Sequence, residues 1–286
     1  MWVLLAFASA IFAGLTAILA KVGIKDIDSN VATALRTIVV LIFSWVMVFI
    51  SGSQSTISDI SPKTLLFLVL SGMATGASWL CYFRALQIGD VNKVVPIDKS
   101  SIILTMLMAF FLLGEEITII KVIAMICIGT GTYMMIQRKE SIKSEPESRL
   151  WIFYALGAAI FASLTSIFGK VGIEGIDSTL GTAIRTIVVL IMAWAVVFIT
   201  GKHNMVRKMN GSNLLFLTLS GFATGGSWLC YYRALQMGPA SVVVPIDKLS
   251  ILLTIGFSYV FLKERLNRKS VIGLGLIVLG TLSLLF

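Results

Sequence analysis

The chain repeats itself: residues 2–137 align with residues 151–286 at a constant offset of 149 positions, without a gap, and roughly half of the aligned positions are identical. Any fold must therefore be built twice, and internal repetition is read before local structure. The longest shared blocks are AIFAxLTxIxxKVGI, beginning at Ala10 and Ala159, and LSGxATGxSWLCYxRALQxG, beginning at Leu70 and Leu219. TAxRTIVVLI starts at Thr33 and Thr182, and VVPIDKxS at Val94 and Val243. The units are 1–138 and 150–286, separated by a linker at 139–149 that is rich in charge and serine and contains Pro146.

Each copy divides into five apolar runs, in the first at 2–23, 30–51, 64–88, 92–113 and 118–137. About 20 apolar residues are what a helix needs to cross a hydrocarbon layer of about 30 Å. With 57% hydrophobic and only 13% charged residues, most side chains have no water to face. The expectation is an all-α membrane protein with ten transmembrane helices. Met1 to Ile24 lacks the basic leader of a secretory signal, so the first run is expected to stay.

Five is an odd number of crossings, so two copies in series should have inverted topology, as two inverted five-helix repeats. Loop charge agrees. The side that holds the linker receives Lys25, Lys93, Arg138, Lys139, Lys143 and Arg149, then Lys202, Arg207, Lys208, Lys263, Arg265, Arg268 and Lys269. The other side holds little beyond Lys63 and Lys121. By the positive-inside rule the linker is cytoplasmic and both termini lie outside, in a bacterial or archaeal plasma membrane.

This placement also accounts for the net charge of +9, which is no sign of nucleic acid here. Cys81, Cys127 and Cys230 fall inside apolar runs and His203 is the single histidine, so neither a disulfide frame, a metal site nor His-based catalysis is expected. No GxxxxGK[ST] motif is present, and the loops are too short for a catalytic domain. The chain reads as neither an ATPase nor an enzyme, and as needing no cofactor.

The repeat length, the VVPIDKxS block opening the fourth run, and a hydrophobic-Gly/Lys-Glu ending (Leu113-Gly114-Glu115, Leu262-Lys263-Glu264) resemble the drug/metabolite transporter superfamily, specifically its EamA-type domains. The resemblance covers almost the whole chain. It implies a five-plus-five inverted bundle with a central cavity lined by helices 1, 3, 4, 6, 8 and 9, moving small metabolites or drugs by alternating access. The two copies are more alike than in most fused members of that superfamily, and many of those have the opposite orientation.

Ionisable residues inside a span are costly, so those that persist should be paired, snorkelling or lining a wet path. Each copy keeps the same five: Lys21, Arg36, Arg84, Asp98 and Lys99, then Lys170, Arg185, Arg233, Asp247 and Lys248. Asp98 shares a helical face with Ser101 and Thr105, and Asp247 with Ser250 and Thr254. These stripes are candidates for the solute path, with Asp98 and Asp247 for proton coupling; the plainer reading is helix capping beside Pro96 and Pro245.

Ser71, Thr75, Ser78 and Tyr82 form one face of the third run, repeated as Ser220, Thr224, Ser227 and Tyr231. We read this face as a cavity wall flanked by Trp79 and Trp228. The competing reading is packing, because Gly72-xxx-Gly76 and Gly221-xxx-Gly225 are also how membrane helices approach closely. Arg36 and Arg185 share a face with threonines and are pathway candidates. Arg84 and Arg233 lie opposite the hydroxyl stripe and read as structural, together with Lys21, Lys99, Lys170 and Lys248; Glu115 and Glu264 read as interfacial.

The surplus of cations over anions favours an anionic or zwitterionic metabolite moved by a secondary carrier, a monomer or homodimer, with protons as a candidate coupling ion. The alternatives are a proton-coupled exporter of cationic drugs or guanidinium-like compounds and a lipid-handling or scaffold protein that moves no solute.

Overall fold

In a computed structural model, residues 1–23, 27–88, 94, 97–135, 150–261 and 267–286 are described. The linker lies outside them, as do Pro96, Lys93, Lys263 and Glu264, and so does the Lys21 side chain. Among the described residues all regular structure is helical. The first copy forms α1 (Trp2–Gly23), α2 (Ser29–Ser51), α3 (Pro62–Ile88), α4 (Ser101–Leu113) and α5 (Ile119–Met135). The second forms α6 (Leu150–Gly172), α7 (Ser178–Ile199), α8 (Gly211–Met237), α9 (Ala240–Lys248), α10 (Ser250–Phe261) and α11 (Arg268–Ser283).

The helices start where the sequence supplies caps. Asp28 accepts the amide of Asn30 at 2.9 Å ahead of α2, and its counterpart Asp177 accepts that of Thr179 at 2.8 Å ahead of α7. Asn210 and Asn267 do the same for α8 and α11. In the second copy the VVPIDK block is a separate helix, α9, and the chain breaks at Leu249 before α10.

Among the described residues seven segments are long and apolar enough to cross a membrane: α1, α2, α3, α6, α7, α8 and the combined Ala240–Phe257 stretch. Ile119–Met135 is a shorter apolar helix, and α4 and α11 have 13 and 16 residues. The described helices thus establish an integral membrane bundle, with seven spans by this measure against the ten expected.

The repeats interleave. α1 packs chiefly on α8, and its counterpart contact joins α6 to α3; α5 packs on α11 and α2 on α7. Close approach depends on glycine. A Cβ at Gly72 would sit 2.6 Å from that of Val188, and one at Gly221 would sit 2.6 Å from that of Val39, the same pair of positions in the other copy. Gly76 faces Met192 and Gly225 faces Phe43, again as counterparts.

Orientation follows from one side of the bundle. Trp2, at the start of α1, lies against Gly238, where a Cβ would meet its ring at 2.6 Å. Lys170, in the last turn of α6, donates to the Gly238 carbonyl at 2.6 Å. The start of α1 and the end of its counterpart α6 therefore lie on the same side, as inverted repeats require.

Candidate solute cavity at the repeat interface

The hydroxyl stripe serves both readings at once. Ser71 donates to the Thr165 carbonyl at 2.7 Å, and its counterpart Ser220 donates to that of Thr16 at 3.0 Å. Ser78 donates to the carbonyl of Ala158 at 3.0 Å and Ser227 to that of Ser9 at 3.1 Å. Thr75 and Thr165, and likewise Thr224 and Thr16, approach within 3.3 and 3.2 Å through their hydroxyls. These bonds tie α3 to α6 and α8 to α1. In a medium without water they satisfy oxygens that would otherwise be orphaned.

Beside those seams opens a cavity of about 350 Å³. From the first copy it is lined by Arg36, Thr75, Ser78 and Trp79, and from the second by Arg185, Thr224, Ser227, Trp228, Tyr231 and Asp247. Lys248, which reads as structural in the sequence, also reaches it. Ser71 and Ser220 lie in the seams rather than on the wall. Ser101 and Thr105 also lie away from it: the Ser101 carbonyl accepts from Thr105 and from Ser163, at 2.8 and 2.9 Å. Tyr82, Asp98, Ser250 and Thr254 are not among its lining residues.

Arg185 is 2% exposed. Its Nε donates to Ser71 at 2.9 Å and its Nη2 to Thr75 at 2.6 Å, while the rings of Trp228 and Tyr232 stand 5.0 and 4.7 Å from its guanidinium carbon. Aromatic faces and neutral hydroxyls hold this cation without a carboxylate. Its Nη1 is buried with no partner. Asp247 accepts from Ser9 at 2.6 Å and faces the Lys248 ammonium at 3.9 Å; Asp98 faces that of Lys99 at 3.8 Å.

Thr16, Thr165, Ser166 and Tyr232 line the cavity too, although no sequence argument selected them. Thr16 and Thr165 repeat, so the duplication carried that signal. Ser166 and Ser9 stand opposite Ala17 and Ala158 in the other copy, and a search for shared residues hides them. Ser166 pairs with the Tyr231 hydroxyl at 2.8 Å.

The residues set apart as structural sit as follows. Gly72, Gly76, Gly221 and Gly225 are helix contacts, Pro245 is buried in α9, and Arg84 and Arg233 are exposed, Arg233 donating to Gln236 at 2.7 Å. Lys170 bonds Glu115, whose carboxylate follows Gly114 at φ 67° and caps α9 through the amides of Ala240 at 2.6 Å and Ser241 at 3.0 Å. Burial alone would raise the Glu115 carboxyl; the bonds from Ser241 and Ala240 and the Lys170 charge outweigh it and hold the group below its usual range. This four-way contact is a latch that ties the α4–α5 loop and the end of α6 to the start of α9. A larger groove of about 660 Å³, whose wall includes Lys170 of the latch, is mostly apolar, with Phe67, Leu113 and Phe168, and takes Lys63 from the first copy and Glu174 and Gln236 from the second.

The EamA-like transporter family matches residues 1–137 and again 149–286. The chain belongs to this family. An uncharacterized transporter encoded in the cobO 3′ region of a Sinorhizobium species is 46% identical over 137 residues, 48% of this chain and 97% of that protein, which is thus a single repeat in length. An uncharacterized protein of Methanocaldococcus jannaschii is 44% identical over 59 residues, 21% of this chain and 42% of its own. The fold also matches a crystal structure of a protein with a TM-score of 0.78 at 17% identity, over 99% of this chain and 96% of the other.

Proposed function

We propose that this EamA-family protein is a secondary transporter that carries a small anionic or zwitterionic metabolite through the interface of its two repeats by alternating access, within ten membrane crossings. The observation that carries this reading is the cavity itself: side chains from both copies converge on it, and among the described residues its wall holds three cations, Arg36, Arg185 and Lys248, against one anion, Asp247. A site between inverted repeats is reached from either side when the repeats rock against each other. Glu115, Lys170 and the start of α9 hold their elements together on one side of the bundle, which in this reading is the closed side. In this reading the side bearing the latch is outside, with both termini, and the linker is cytoplasmic; Asp98 and Asp247 are the groups through which protons would couple.

The test is uptake by proteoliposomes of a labelled panel of carboxylates, phosphate esters, zwitterions and organic cations. Saturable flux of an anion or zwitterion, lost in Arg36→Gln with the protein still folded, is the expected result. Flux confined to organic cations would move the reading to a cation exporter, and no flux of any solute would favour a scaffold role.

A further inference from the structure

Each repeat sets one arginine at the same backbone position and uses it differently. A Cβ at Gly72 would meet the Arg185 carbonyl oxygen at 3.1 Å, and one at Gly221 would meet the Arg36 carbonyl oxygen at 3.2 Å. The helices are therefore in the same register at both contacts. Only the side chains part company. Arg185 borders the same cavity but is buried there, parked on Ser71 and Thr75 between two rings. Arg36 lines the cavity half-buried, and among the described residues no side-chain hydrogen bond or ion pair holds it. Its equivalent parking place exists: Ser220 and Thr224 stand on α8 as Ser71 and Thr75 stand on α3.

Two conformations of one repeated element, seen together, describe two stages of an exchange when the repeats are inverted. We infer that the arginines alternate: Arg36 meets the anionic group of the solute in the conformation seen here, and in the oppositely facing one Arg36 docks on Ser220 and Thr224 while Arg185 leaves Ser71 and Thr75 to meet the anion. The parking place suits a group that must leave. It offers neutral hydroxyls and ring faces in place of a carboxylate, and it leaves Nη1 without a partner. One arginine is always presented and one always stored, so the charge facing the solute stays constant while its position moves from one repeat to the other. This inference rests on the transporter reading, and it concerns the path of the anion within that cavity.

Phenylglyoxal modifies accessible guanidinium groups, and peptide mass spectrometry can follow Arg36 and Arg185 separately with no solute identified. In the wild-type protein Arg36 is modified and Arg185 protected. The latch is then broken with Glu115→Gln and Lys170→Met together, and a cysteine placed by Ala240→Cys in a background lacking the native cysteines reports opening through a membrane-impermeant maleimide. When the reporter reacts, protection should exchange by at least about tenfold, Arg185 becoming reactive and Arg36 protected. An open reporter with the original pattern overturns the inference. Where the latch variant stays closed, Thr75→Val in the wild-type background removes the store for Arg185 instead, and an unchanged pattern there overturns it equally. Flux is read separately in proteoliposomes. Transport without exchange sinks the inference and leaves the transporter reading standing; exchange without flux of any solute does the reverse.

Discussion

The seams α3–α6 and α8–α1 are nearly the same object built twice, whereas the carboxylates beside them are not. The serine-to-carbonyl bonds of the seams, Ser71 and Ser78 on one side and Ser220 and Ser227 on the other, recur at almost the same distance, and so do the flanking glycine contacts of α3 with α7 and α8 with α2. Around the carboxylates, Asp247 is bonded by Ser9, while the position that would serve Asp98 is Ala158. The contrast teaches where a duplicated membrane protein can diverge. A seam residue must satisfy a helix backbone 2–3 Å away in a medium without water, so a change costs folding. A cavity residue faces space, and a change there alters what binds.

Breaking the shared part should cost most. Gly72→Leu and Gly221→Leu each drive a side chain into a valine Cβ 2.6 Å from the first added carbon, and both variants should fail to give a monodisperse folded protein on size exclusion. The alanine versions should lose about 1–3 kcal/mol each, equally in the two repeats, by thermal unfolding. A large inequality between them would show that the contacts of α3 with α7 and of α8 with α2 are less alike than their geometry.

The latch comes next. Glu115→Gln should destabilise by about 2–4 kcal/mol, because charge-assisted bonds to buried amides contribute about 1.5–3 kcal/mol each and the amide side chain keeps some of them. The sign of the pH dependence follows from the lowered carboxyl. Since the folded protein holds the proton less tightly than the unfolded chain, the stabilisation is complete above the ordinary carboxylate value of 4.5 and fades as pH falls below it. The difference in melting temperature between wild type and Glu115→Gln should therefore be flat from about pH 6 to 8 and shrink in acid; a difference growing in acid would contradict this assignment.

The divergent part gives smaller effects with more specific readouts. Ser9→Ala removes the hydroxyl donor to Asp247 and should weaken solute binding by about 1–2 kcal/mol, read as a raised KM with the folded fraction unchanged. The converse change, Ala158→Ser, should leave KM within about twofold. Equal effects would mean that the repeats use their carboxylates alike. The smallest change is expected back in the shared seams, from Thr16→Val and Thr165→Val, at about 0.6 kcal/mol each, since interhelical hydroxyl bonds in membranes average that much and the helix backbones there stay in contact.

Much of this was legible beforehand because duplication is a filter. Arg36, Thr75, Ser78, Trp79 and Asp247 were singled out as residues of a repeated polar stripe, and the structure brings them, with their partners from the other copy, to one cavity. The same filter hid Ser9 and Ser166, whose counterparts are alanines. It also treated Asp98 with Ser101 and Thr105 as one path, where the folded chain turns Ser101 and Thr105 into backbone contacts of α4 and α6. Lys248 reads as structural in the sequence and yet lines the cavity, because charge and position on a span do not say which neighbour a side chain meets.

What the amino-acid sequence determined by itself was the architecture: helices imposed by lipid, two copies imposed by the constant offset, and opposite orientation imposed by an odd number of runs. Those are properties of each segment and of the order of segments. Only the tertiary structure decided that helix 3 of one copy lies on helix 1 of the other, that Arg185 is buried on Ser71 and Thr75 while Arg36 stands half-buried on the cavity wall, and that Glu115 reaches across to cap α9. Each of these joins residues far apart in the chain through contacts a few ångströms long, and no local pattern carries information about a partner on another helix.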